Sequence, residues 1–254
     1  MIGIMILWSV IVALTIAGVV AAHIYQDNEL KKHQAAMAAW AAAHGLSYVP
    51  ESDHIAQMFT GEPFSGGEYA KALDIISGPG PNGHRFWSYI YEYVVSNGKT
   101  SSTVRRWIVV LRMPRRLPWL QLSYETVGSR MLHAFGEQDI QLESDDFNKA
   151  YNVQAASPQF AFAVLHPRVI DWLLGPGRAI VPIRLAGQAM LWWQEGEPEY
   201  GRLASQVRAM AAFIDHIPSF VWHDYGRGVA GPQARPGVPA SGPSTRSIGP
   251  VARP

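Results

Sequence analysis

Between Leu142 and Leu174 the chain gathers Glu143, Asp145, Asp146, Asn148 and His166 among aromatic residues. Carboxylates and a histidine in such a run could work as general acid and base or hold a metal ion. Alternation along an extended strand, however, sends Glu143 and Asp145 to one side and Asp146 to the other. Ser144 and Asp145 precede Phe147 as capping residues precede an apolar start, and Asn148 suits a turn. The stretch reads as folding chemistry, and no catalytic residue is assigned.

Other reactive constellations are weaker. His133 and Glu137 have i,i+4 spacing but lack the second histidine of a zinc-binding helix, and His216 and His223 are separated by Pro218. Asn97-Gly98-Lys99-Thr100 ends like a phosphate-binding loop, but Tyr93 stands where that loop needs a glycine, and the segment lies between two strands. With no cysteine, thiolate catalysis and Cys-based zinc sites are excluded. No metal or cofactor is expected.

Two surfaces point to binding instead. In residues 85–95 the odd positions Trp87, Tyr89, Tyr91 and Tyr93 share one face of a strand. That face is either core beneath a helix at 199–217 or a half-open aromatic groove for an apolar ligand, peptide or partner. Arg105, Arg106, Arg112, Arg115 and Arg116 interleave with Trp107 and Trp119. Arg112, Arg115, Arg116 and Trp119 fit lipid headgroups better than nucleic acid, since the net charge is only +1. A plain solvated loop explains them more simply than either.

The elements that position these residues follow from local pattern. Asn97-Gly98 between two aromatic, β-branched runs predicts a hairpin. Further strands are expected at 69–78, 120–125, 139–144 and around 150–155, with a second hairpin at Ala186-Gly187-Gln188. Ser157-Pro158 starts a helix that Pro167 interrupts, and 126–136 reads as a short helix. Tyr200, Leu203, Val207, Met210, Ile214 and Ile217 step by three and four along one helical face.

Residues 1–26 carry no charged side chain, and Ile2–Ala22 matches the roughly 20 apolar residues that cross a bilayer. A cleaved leader ending at Val20-Ala21-Ala22 is the rival reading. The apolar run exceeds the ~7–15 residues of a leader and has no basic residues before it, so a retained anchor is preferred. Lys31 and Lys32 after the span place the main domain in the cytoplasm. An alanine-rich juxtamembrane helix at 27–45 follows, with Leu30, Met37, Trp40 and Ala41 on one stripe. Residues 226–254, rich in Gly, Pro and Arg, read as a disordered tail.

The run from Gln138 to Val153, with the segment to Leu174, resembles a bacterial family of membrane-anchored proteins carrying a domain of unknown function. The matching positions are Leu142, Glu143, Ser144, Asp146, Phe147, Asn148, Tyr151, Ala161, Pro167, Leu173 and Leu174. The resemblance implies an anchor plus an α+β domain and brings no activity with it. The expectation is thus one transmembrane helix followed by a single α+β domain (46–225), an antiparallel sheet with helices on one face. The expected function is a membrane-tethered binding or scaffold module acting through protein or lipid contacts, with lipid held by residues 2–22, an unknown protein partner and no nucleic acid. A membrane-bound hydrolase using carboxylate and histidine is the alternative.

Overall fold

β-Branched and aromatic runs separated by tight turns build one antiparallel sheet in the computed structural model, which describes residues 2–64, 67–125 and 140–226, with side chains at Trp8 and from residue 13 onward. The strands are β1 (Ser47–Ser52), β2 (Glu68–Pro79), β3 (Arg85–Ser96), β4 (Ser101–Tyr124), β5 (Tyr151–Ala155) and β6 (Ile183–Glu195). The order runs β1-β2-β3-β4-β5, and β6 pairs with the other side of β4. The helices are α1 (Ile2–Ala43), α2 (Asp53–Ala56), α3 (Asp145–Ala150), α4 (Pro158–Val164), α5 (Pro167–Leu174), α6 (Tyr200–His216) and α7 (Ser219–Asp224).

The β3–β4 hairpin turns as expected. Asn97 Oδ1 accepts from the Lys99 and Thr100 amides, and Gly98 takes φ +82°. Strands 104–113 and 120–125 are not separate: β4 is one continuous strand of 24 residues. Pro114 and Pro118 are tolerated because the β4–β6 register skips from Arg112 to Leu117 and again to Leu120, while β3 pairing ends at Leu111. The expected second hairpin at 186–188 is likewise a correction. Gly187, φ +61°, sits opposite Leu117 beside that irregularity, and β6 continues through it because long β4 offers a partner along its whole length.

Residues 140–144 are not a strand; they lead into α3, which Ser144 caps by accepting from the Phe147 amide at 3.3 Å. Asn148 then clasps the approach, its Oδ1 accepting from Leu142 N at 2.9 Å and its Nδ2 donating to Leu142 O at 2.7 Å. Ser157 caps α4, and Pro167 starts α5 afresh. The helix expected at 126–136 and the tail from residue 227 lie outside the described residues.

Each sheet face has its own core. Trp107, Val109 and Leu111 of β4 pack under α4, α5 and α6, where Phe160, Val164, Leu173, Met210 and Phe213 are buried. The intervening Ile108 and Val110 face the opposite side with Tyr89, Tyr91 and Leu191. That side is covered by the segment from α2 to Phe64 rather than by a long helix.

The transmembrane anchor is overturned. Among the described residues no helix is long and apolar enough to cross a membrane. From Ala13 onward α1 carries Thr15, Gly18, His23 and Gln26 among its apolar residues. The helix passes unbroken into Asp27, Glu29, Lys31 and Lys32. The single-pass membrane location, the lipid contact of residues 2–22 and the cytoplasmic side inferred from them are withdrawn with it. The α+β class and antiparallel sheet remain.

Candidate functional site

The end of α1 is anchored by glycine chemistry. Gly45 adopts φ +68°, which lets Leu46 N donate to Ala41 O at 2.9 Å and Gly45 N to Ala42 O at 3.0 Å. This paired closure satisfies carbonyls of the last helical turn and folds Leu46 back beside it. Met37, Trp40 and Ala41 face the body, whereas Leu30 of the expected stripe stays 55% exposed.

A polar fastener sits one to two turns earlier on the same helix. Tyr48 on β1 donates its hydroxyl to Asp74 Oδ1 at 2.6 Å, and His33 Nε2 of α1 lies 2.7 Å from Asp74 Oδ2. Asp74 is buried and occupies a β2 bulge at φ +50°, between the Leu73 and Ile76 registers with β3. Aspartate tolerates that left-handed conformation better than most side chains. Burial, and then the bond to Asp74, pushes the Tyr48 phenol well above its ordinary range.

Between the end of α1, the β2–β3 turn and the first half of α6 lies a cavity of about 450 Å³. Trp40, Leu46, Phe86, Tyr200, Leu203 and Val207 supply its apolar surface. Trp40 holds its place between rings, with centroids 5.6 Å from Tyr200 and 4.3 Å from His44. His44 and Arg208 line the cavity while remaining exposed, which puts them at its mouth. The Tyr200 hydroxyl is buried with no hydrogen-bond partner among the described residues, and burial followed by the nearby Asp74 charge pushes its pKa upward. The volume and the largely apolar lining match small-molecule sites.

The aromatic residues singled out on β3 do share one face. Tyr89, Tyr91 and Tyr93 are buried and Trp87 is half-buried, beneath Phe59 and Phe64 rather than beneath α6. Phe64 meets Tyr91 edge-on at 5.0 Å. Gly67 passes so close to Tyr93 that an added Cβ would lie 2.3 Å from its ring. The cover is held by polar clasps: Arg184 donates to Thr60 O and Glu62 O, Gln121 to Glu62, and Arg106 to Pro63 O. The Tyr89 hydroxyl and Trp87 Nε1 have no hydrogen-bond partner among the described residues.

The remaining sequence candidates are dispersed. Arg112, Arg115 and Arg116 are exposed and Trp119 half-buried around the β4 irregularity. Arg105 bridges Glu92 and Glu197, and Arg106 lies over the Tyr93 ring. Glu143, Asp145 and Asp146 are exposed around the start of α3, where Asp146 has Lys149 at 3.8 Å. His216 bonds Ala212 O within α6, His223 lies beside Asp224, and His133 and Glu137 fall outside the described residues. No group of three metal-ligating His, Asp or Glu side chains occurs among the described residues.

Pattern reading missed Asp74 and the cavity. An acid set among the apolar residues Ala72, Leu73, Ile75 and Ile76 was the available signal for a buried partner. Trp40, Tyr200, Leu203 and Val207 were read as apolar stripes without the gap between them.

No protein-family model matches the chain, and no curated protein matches it. Among solved structures it is similar to the crystal structure of the mycobacterial trehalose monomycolate transport factor A, TtfA, at 12% identity and a TM-score of 0.48, over 72% of this chain and 94% of that one. A likeness of this degree carries no argument about what this chain binds.

Proposed function

We propose that the chain is a binding module whose ligand site is the cleft between α1 and α6, and that its ligand is an apolar or amphipathic small molecule. The observation that carries this reading is the cavity of about 450 Å³ walled by Trp40, Phe86, Leu203 and Val207. A pocket of that size exposes apolar surface that a ligand would remove from water, at roughly 25 cal/mol per Å².

A hydrolase is less well supported. Glu143 and Asp146 are exposed and meet no histidine among the described residues. The buried carboxylate that meets a histidine among the described residues, Asp74, takes both donors itself: Tyr48 bonds the carboxylate and not His33. A nucleophile-activating relay needs the hydroxyl on the imidazole, so these three groups fasten α1 to the sheet instead.

The Arg112, Arg115 and Arg116 surface adds a site for acidic groups of a partner or headgroup, because none of the three has an ion-pair partner among the described residues. A partner could use the Trp87, Tyr89 and Tyr91 face only by displacing residues 53–64. The buried, unpartnered Tyr89 hydroxyl and Trp87 Nε1 favour keeping that second reading.

The test is a nuclear magnetic resonance titration with decanol, a neutral single-chain probe. Saturable shifts confined to residues 40–46, 79–81 and 200–208 are expected, and they should vanish in Ala204→Trp, which fills the cleft from an exposed helical position. Absence of saturable shifts, or shifts unchanged in that variant, overturns the reading.

A further inference from the structure

The geometry points to a single-chain amphipathic anion of the fatty-carboxylate type as the ligand of this cavity, its headgroup held at the mouth by Arg208 and His44; this rests on the cleft being the binding site. Three observations converge. The first is charge. No acid lines the cavity, and both of its titratable mouth residues are basic in type.

Four acids on the neighbouring segments are already engaged. Asp74 takes Tyr48 and His33, Asp215 takes Asn82, Glu197 takes Arg105, and Glu199 takes Arg202. Arg208, by contrast, has no ion pair or hydrogen-bond partner among the described residues. A guanidinium left unpaired beside an apolar cavity is suited to a carboxylate, which it can bind through two parallel N–H donors.

The second observation is the fixed orientation of His44. Its Nδ1 donates to Trp40 O at 2.8 Å, which leaves Nε2 as the nitrogen the backbone does not use; it donates to a carboxylate in the imidazolium form. The third is size. At ~30 Å³ per water-sized atom, a cavity of about 450 Å³ holds roughly fifteen heavy atoms, the scale of a ten- to twelve-carbon chain with a small head. The chain would lie against Trp40, Phe86 and Val207, with the buried Tyr200 hydroxyl as a donor along its path.

Isothermal titration of the full chain with decanoate, decanol, decyltrimethylammonium and acetate tests this. Decanoate should bind at least tenfold more tightly than decanol, the cationic amphiphile more weakly than decanol, and acetate not measurably. Arg208→Gln should weaken decanoate about tenfold and leave decanol unchanged. Decanoate no tighter than decanol, or a loss in Arg208→Gln that is equal for both probes, overturns the anion assignment while the cleft stands. If neither chain binds, or if Ala204→Trp leaves both affinities intact, the cleft itself falls.

Discussion

Replacing Asp74 separates charge, hydrogen bonding and backbone strain at the point where α1 joins the sheet. Asp74 accepts from Tyr48 at 2.6 Å and from His33 at 2.7 Å, in a bulge at φ +50°. A hydrogen bond to a buried charged group is worth about 1.5–3 kcal/mol. The His33 contact contributes about 0–1 kcal/mol, because that side chain is half exposed and solvent screens it. Asp74→Asn keeps an acceptor for Tyr48 and tolerates the left-handed backbone, so about 1 kcal/mol should be lost. Asp74→Ala loses both bonds and adds the penalty of a Cβ residue at positive φ, about 3–4 kcal/mol in all. Asp74→Gly loses the same bonds without that penalty and should recover about 1 kcal/mol of it. Urea unfolding gives the three differences directly, and hydrogen exchange at residues 37–43 reads the docking of α1. Glycine no more stable than alanine refutes the strain argument. Wild-type stability in Asp74→Asn refutes the role of the charge.

Two further outcomes are expected. Tyr48, Tyr89 and Tyr200 have pKa values pushed upward, chiefly by burial; their protons stay on in the folded state when the unfolded chain releases them. Stability is then unaffected below the unfolded value of about 10 and falls above it, by roughly 1.4 kcal/mol per pH unit for the buried Tyr89 and by less for Tyr48 and Tyr200, which solvent screens. Tyr91 and Tyr151 are shifted the same way by burial, so phenolate absorbance followed with circular dichroism should show a subset of the ten tyrosines ionising only as the fold melts; a single reversible wave of all ten with an intact fold would contradict it. Asn148→Ala removes both bonds to Leu142 and should cost about 1–3 kcal/mol. Glu143→Gln and Asp146→Asn should stay within about 0.5 kcal/mol of wild type, and equal losses for all three in denaturant titrations would show that the acidic cluster, not the clasp, holds this segment.

The cleft depends on an element that is only partly attached. α1 buries Ala41 and partly buries Met37 and Trp40, while described apolar residues nearer its start, including Leu14, Val19 and Ile24, remain exposed. Its last turns form one wall of the cavity and α6 the other. Loosening the Asp74 fastener should therefore change ligand access along with stability. This ties the first prediction to the binding reading: a stability change without any change in affinity would separate the two.

Local sequence determined those features whose causes lie within a few residues. Asn97-Gly98 specifies a turn because the Asn side chain accepts from the next amides and glycine tolerates positive φ. Ser157-Pro158 begins a helix, Pro167 restarts it, and the spacing from Leu203 to Ile217 marks the buried side of α6. Parity along β3 put Tyr89, Tyr91 and Tyr93 together, but parity cannot say what lies over them; packing put Phe59 and Phe64 there and sent α6 to the other face. The length of β4 and the loss of the second hairpin were decided by strand pairing across the sheet, which overrode two prolines and a glycine. The site was decided the same way. Asp74 meets residues 41 and 26 positions away, and the cavity joins three segments spread from Trp40 to Arg208. Such meetings arise from the closure of surfaces far apart in the chain, and no short-range steric or hydrogen-bonding rule encodes them.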